Sequence, residues 1–165
     1  MKHKAFSLSE LTIVLLILSV TAGVTALNTN KFAGQTAQDE AEKAAAFINN
    51  KLHRTVMKRV GFRITVNDDS IASDYGLDYS NMIPESSLSA DKGCSFALYA
   101  KSGTSYGIAS SNKLYCNVNS STANTSHWSK ISEDCSVRIS TEEEGEYYIK
   151  VTDESGQFCN VIIAR

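Results

Sequence analysis

The chain opens MKHKAFSLSELTIVLLILSVTAGVTAL, Met1 to Leu27, and the reading of this stretch decides the rest. Lys2, His3 and Lys4 form a short basic head, Glu10 is a single carboxylate, and the 17 residues Leu11–Leu27 carry no charge. As a helix rising ~1.5 Å per residue, that run covers roughly 25 Å, close to the hydrocarbon thickness of a bilayer. A carboxylate at its edge is costly, on the order of 2.5–3.5 kcal/mol at mid-membrane depth, so Glu10 calls for a partner. Lysines directly ahead of the span favour a cytoplasmic N-terminus, with everything after Leu27 outside.

Beyond it, residues 28–60 contain no proline and one glycine, Gly34. Apolar side chains recur at Ala33, Ala37, Ala41, Ala44, Ile48, Leu52, Val56 and Val60, always three or four apart, which is the period of a helix. Gln38, Asp39, Glu42, Lys43, Asn50, Arg54 and Lys58 fall on the other face. No stop signal separates the stripe from the apolar run. The pattern therefore predicts one helix from Phe6 to Arg59, roughly 80 Å long at ~1.5 Å per residue, with Gly61 as its C-terminal cap.

From Phe62 the period changes to that of short strands: Phe62–Val66, Ser95–Lys101, Tyr106–Ser110, Lys113–Val118, Cys135–Ser140, Glu146–Thr152 and Phe158–Ala164. Ser102-Gly103, Glu144-Gly145 and Ser155-Gly156 mark turns between antiparallel neighbours. Asn67–Ala90, rich in Ser, Asp and Asn, reads as a long connection. The predicted fold class is α+β, with a long N-terminal helix, its first half membrane-spanning, packed on a C-terminal antiparallel sheet. The predicted divisions are 1–5, 6–27, 28–60 and 61–165.

A length of 165 residues suits one such domain, and a formal charge of −2 gives no field for a polyanion. Losing Met1–Ala5 would remove two lysines, leaving 14 cations against 18 anions, so nucleic acid is disfavoured as a partner. Cys94, Cys116, Cys135 and Cys159 are even in number, lie past the apolar run and form no C-x-x-C pair. That reads as two disulfides in an oxidising compartment rather than a metal site. Three connectivities exist, and locality favours Cys94–Cys116 with Cys135–Cys159.

Lys4-Ala5-Phe6-Ser7-Leu8-Ser9-Glu10-Leu11, followed by the apolar run, resembles the cleavage and methylation signal of type IV prepilins and pseudopilins. The resemblance covers about 25 residues; the remainder agrees with that family only in predicted layout. It implies cutting between Ala5 and Phe6 on the cytoplasmic side, by a prepilin peptidase that also N-methylates Phe6. It also places Glu10 at the fifth position of the mature chain, where the family has its glutamate, and implies a pilin-like fold. Two departures stand out: Ala5 replaces the usual glycine before the cut, and no helix-bending proline lies near Leu27.

Independently of the family, a new amine at Phe6 would be a cation about one helical turn from Glu10. Pairing within the chain, or across staggered neighbours, would make Glu10 an assembly and register residue. The implied function is a structural subunit of a type IV pilus-like filament. Its implied partners are other pilin subunits, the prepilin peptidase, an inner-membrane assembly platform and, before assembly, membrane lipid. The implied location is the inner membrane, N-terminus cytoplasmic and C-terminal region periplasmic, and then a filament. A type II secretion pseudopilin and a minor pilin serving as adhesin or DNA-uptake receptor are the alternatives.

Val24-Thr25-Ala26 matches a signal-peptidase site that would release a protein starting at Leu27. Lys51, Arg54, Lys58, Arg59 and Arg63 read as the wet side of a helix, and Glu142-Glu143-Glu144 as a solvated turn. Asn119-Ser120-Ser121 and Asn124-Thr125-Ser126 match the N-glycosylation pattern by chance composition. Trp128 reads as an anchor holding its loop on the sheet. No G-x-S-x-G, H-E-x-x-H or phosphate loop occurs, so the expectation is a non-enzyme with no cofactor and no metal.

Overall fold

Helix-forming residues without an internal proline carry α1 from Leu8 to Lys58, 51 residues, about 76 Å at ~1.5 Å per residue. This computed structural model describes residues 8–91, 93–119 and 128–165; the side chains at 8, 10, 11 and 20–34 lie outside the description. Arg59 stops α1 by adopting a left-handed conformation (φ 51°), and the chain turns into a strand at Gly61. Gly61 is therefore not the helix cap expected from the sequence. It begins β1 (Gly61–Asn67), where a side chain would come within 2.7 Å of the Asn117 carbonyl and 2.8 Å of the Gly76 carbonyl.

The remaining strands are β2 (Ser70–Gly76), β3 (Ile83–Ser89), β4 (Ser95–Ser102), β5 (Ser105–Ile108) and β6 (Lys113–Cys116). They continue with β7 (Ser129–Lys130), β8 (Ser136–Ser140), β9 (Tyr147–Thr152) and β10 (Phe158–Ala164). They form two five-stranded sheets, ordered β3-β2-β1-β6-β7 and β5-β4-β9-β10-β8. All named pairs are antiparallel except β6 with β7. The sheets meet where Phe96 N–H donates to the Asp68 carbonyl (2.9 Å), while Ala90 N–H to the Asp69 carbonyl (2.8 Å) continues the β2–β3 pairing past Ser89.

One apolar core joins the three parts. Ala41, Ala44, Ile48 and Leu52 of α1 meet Phe62, Ile64 and Leu114 of the first sheet and Phe96, Val151, Val161 and Ile163 of the second. The small alanines let α1 approach closely, chiefly to β10 and β8. The stripe holds through Leu52 and then drifts: Thr55 turns inward while Val56 is 55% exposed. A 3.6-residue helix carries side chains off a line after several turns, which the simple three-and-four spacing hid. In the second sheet Tyr148 of β9 also stacks on Tyr99 of β4 at 5.0 Å and meets Tyr106 of β5 edge-on at 5.3 Å.

The single antiparallel sheet beneath a half-membrane-spanning helix is overturned, and with it the pilin-like fold expected from the sequence. Outside α1 the described residues form two sheets, one with a parallel pair, and a short 3-10 helix at Tyr79–Asn81, and among them no helix is long and apolar enough to cross a membrane. The predicted 67–90 connection holds β2 and β3. Few apolar residues betray them, because β2 buries Ile71 beside the hydroxyl of Ser73, and β3 is an edge strand that tolerates Pro84.

Gly61→Ala should cost about 1–3 kcal/mol, since two backbone carbonyls must move to admit one methyl group. Chemical denaturation followed by the fluorescence of Trp128, the one tryptophan, measures it. An unchanged midpoint would show that the β1 entry is looser than described.

Candidate functional site

Ala5 and Phe6, the predicted cleavage and methylation pair, lie outside the described residues, as does the side chain of Glu10. The backbone of Glu10 belongs to α1. What is described nearby is Ile13, Val14, Leu15, Leu16, Ile17 and Leu18, each 47–62% exposed. Six consecutive residues at about 100° each point in every direction around a helix, so no one face is the sticky one. Among the described residues, burial along α1 begins only at Ala37. Exposed apolar surface of this extent marks a site of association with protein or lipid.

The other end of α1 bears a groove of about 250 Å³ lined by Lys51, Arg54, Thr55, Lys58, Tyr75 and Glu85. Lys51 is not on the wet side of the helix: it is only 7% exposed. Its ammonium donates to Glu85 Oε2 (2.9 Å) and Ser86 Oγ (2.7 Å), and Arg54 also pairs with Glu85. Burial, and then the neighbouring Arg54, pushes the Lys51 pKa down. Glu85 is thus the one carboxylate answering two cations. Sequence reasoning missed it because it sits in the unpredicted β3.

A second missed residue is Glu40, 1% exposed, on the same α1 stripe as Ala37 and Ala44. Lys43 reaches it at 3.0 Å and also pairs with Asp91, while Glu40 Oε1 has no hydrogen-bond partner. An acid three residues after one stripe alanine and four before another was the available signal. Lys43 holds the Asp91 carboxyl below its ordinary range, and Arg138 does the same for Glu144. Asp153 accepts from the backbone N–H of Ser155 (2.9 Å) and Gln157 (3.0 Å), closing the β9–β10 turn. Among the described residues no group of three or more His, Cys, Asp or Glu is placed to hold a metal.

No disulfide joins any of the four cysteines in this structure, with Cys94 and Cys135 half-buried and Cys116 and Cys159 buried. The strand registers separate the local pairs expected from the sequence. Ser136 faces Ala164, so Cys135 lies beside Arg165, six residues along β10 from Cys159, or roughly 20 Å at ~3.3 Å per residue. Cys116 faces Phe62 near the start of β1, whereas Cys94 lies two residues from Phe96, which bonds Asp68 past its other end. Six residues again separate them, roughly 20 Å at ~3.3 Å per residue.

Trp128 does anchor its segment. It packs on Tyr79 at 4.3 Å and Tyr115 at 5.6 Å, with the Arg63 guanidinium 5.0 Å from its ring. The residues 120–127 that precede it, including the second glycosylation pattern and His127, lie outside the described residues.

Glu85→Gln leaves Lys51 and Arg54 facing each other and should cost about 2–4 kcal/mol at neutral pH. The double variant Lys51→Met with Glu85→Leu should lose less than Glu85→Gln alone, because it removes the charges together. A larger loss for the double variant in denaturant titrations would contradict this. A pH dependence follows too. Asp91 and Glu144 bind their protons less readily folded than unfolded, so their contribution is complete above the unfolded carboxyl range and lost as pH falls. The melting temperature should hold steady near neutrality and decline below about pH 4, less steeply in Lys43→Met. Equal slopes in the two proteins would remove Lys43 as the cause. Compared with protein-family models, curated proteins and solved structures, the chain matches none.

Proposed function

We propose that this chain is a structural subunit of a type IV pilus-like filament, assembled through the N-terminal part of α1. The observation that carries the reading is the conjunction at that end. An A-F-S-L-S-E-L sequence runs into a helix whose Ile13–Leu18 segment is apolar on every side and about half exposed among the described residues. A helix that is hydrophobic all round is one made to be buried. Copies packing side by side through this segment would bury it, and they would exchange lipid for neighbours of similar polarity at little cost, which suits reversible assembly.

Cleavage before Phe6 would supply an N-terminal cation near Glu10, and pairing between adjacent copies would penalise wrong registers by leaving a charge unpaired. On this reading the partners are copies of the chain, the peptidase that cuts it and the inner-membrane machinery that moves it. The two sheets, anchored from Ala37 onward, would lie outside the helical core.

Glu10→Ala tests the role of the carboxylate. The variant should be processed to the same mature N-terminus as the parent, while its incorporation into filaments falls at least tenfold. Quantitative immunoblotting of sheared filaments against the membrane pool reads this. Incorporation at the parental level would contradict the assembly role.

A further inference from the structure

The registers sort the cysteines by position, not by sequence distance. One end of the two sheets holds Cys116, paired with Phe62 beside the β1 start, and Cys135, beside the C-terminal Arg165. The opposite end holds Cys94, next to the β4–β9 pair Ser95–Thr152, and Cys159, next to the β10–β9 pair Phe158–Thr152.

At the first end the backbone carries Cys135 back to Cys116. Strand β7 runs parallel to β6 with Tyr115 against Lys130, and Ile131 N–H donates to the Tyr115 carbonyl at 2.9 Å. Extending that register places Ile131 alongside Cys116. A turn closed by Cys135 N–H to the Ser132 carbonyl (3.3 Å) then returns the chain toward Ile131. Cys116 is fully buried in the apolar core, and Cys135 packs against that core from the half-buried side. At the second end, β9 stands between β4 and β10, so Cys94 and Cys159 have their backbones at least ~9.5 Å apart at ~4.8 Å per strand. That exceeds the roughly 7 Å that a disulfide tolerates between Cα atoms.

We propose that Cys116 and Cys135 form a single disulfide joining the two sheets, and that Cys94 and Cys159 remain thiols. The bond would tie β6 of the first sheet to the run into β8 of the second, closing the segment that carries Trp128. Its chemistry requires an external disulfide, such as a thiol–disulfide exchange reagent. Cys135, the more exposed, attacks one donor sulfur as thiolate and the other donor sulfur leaves as thiolate. Cys116 then loses its proton and attacks Cys135 Sγ, releasing the second donor sulfur. Two protein thiols are oxidised and one donor disulfide is reduced to two thiols, with two protons released to solvent or taken up by the donor thiolates. Burial pushes the Cys116 thiol up to about 12, so the second step is the slow one in the folded chain and faster during folding.

Full-length chain in detergent micelles, oxidised with glutathione disulfide, alkylated and digested without reduction, tests this. The expected map has one crosslinked peptide pair, Cys116 with Cys135, and alkylated Cys94 and Cys159. A dominant link containing Cys94 or Cys159, or four alkylated cysteines, overturns the proposal. As a second reading, Cys94→Ser with Cys159→Ser should keep the several-degree rise in melting temperature that oxidation brings, and Cys135→Ser should abolish it. Retention of the rise in Cys135→Ser overturns the pairing. Because the purified chain is oxidised directly, neither outcome depends on whether it assembles into filaments.

Discussion

The close approach of α1 to the sheets, through Ala37, Ala41, Ala44, Ile48 and Leu52, is the contact on which the rest of the structure depends. Neither sheet is self-sufficient: each buries one face only because the helix and the other sheet complete a shared core. Alanine matters here for what it lacks. Larger side chains at 41 and 44 would lift the helix from β10 and open space that nothing else fills. The same contact fixes where the helix stops being a core element. Everything before Ala37 for which burial is described, namely Ser9, Thr12–Ser19, Gln35 and Thr36, is exposed.

Buried charge is concentrated along this contact. Glu40 and Lys51 occupy the helix face that a purely apolar stripe would have filled, and each is answered by a partner, Lys43 or Glu85. Such groups add little net stability when paired and cost much when broken, so they hold a particular arrangement in place more than they strengthen it. Lys51 ties the end of α1 to the edge strand β3, and Lys43 ties its middle to Asp91 ahead of β4. One pair reaches an edge strand of the first sheet, the other the connection between the two sheets.

The helix was legible because its signals are local and repeated: no proline, a sustained period and good helix formers. The strands after Ser95 were legible because alternation and Gly-containing turns punctuate them. The first sheet was harder to read. Strands β2 and β3 carry Ser and Asp where a pattern search wants Val and Ile; β3 is largely exposed, and Ser73 of β2 bonds Glu85 and Ser86 of β3 instead of packing an apolar side chain. The division into two sheets and the parallel β6–β7 contact arise from pairings distant in sequence, which composition does not encode. Local pairing of the cysteines was not legible for the same reason. Short loops suggested local pairs, but strand direction puts the ends of those loops at opposite ends of the sheets.

The two ends of α1 divide the labour in this account. One end is fixed in a core of two sheets, and the other offers, among the described residues, the exposed apolar surface of Ile13–Leu18. On the proposed function, this second surface is used for assembly after cleavage at Ala5–Phe6. The mature N-terminus, determined by mass spectrometry on protein from cells that process it, tests this most directly. The account predicts a chain beginning at Phe6 with a methylated amine; a chain beginning at Leu27, with the apolar run removed, would contradict it.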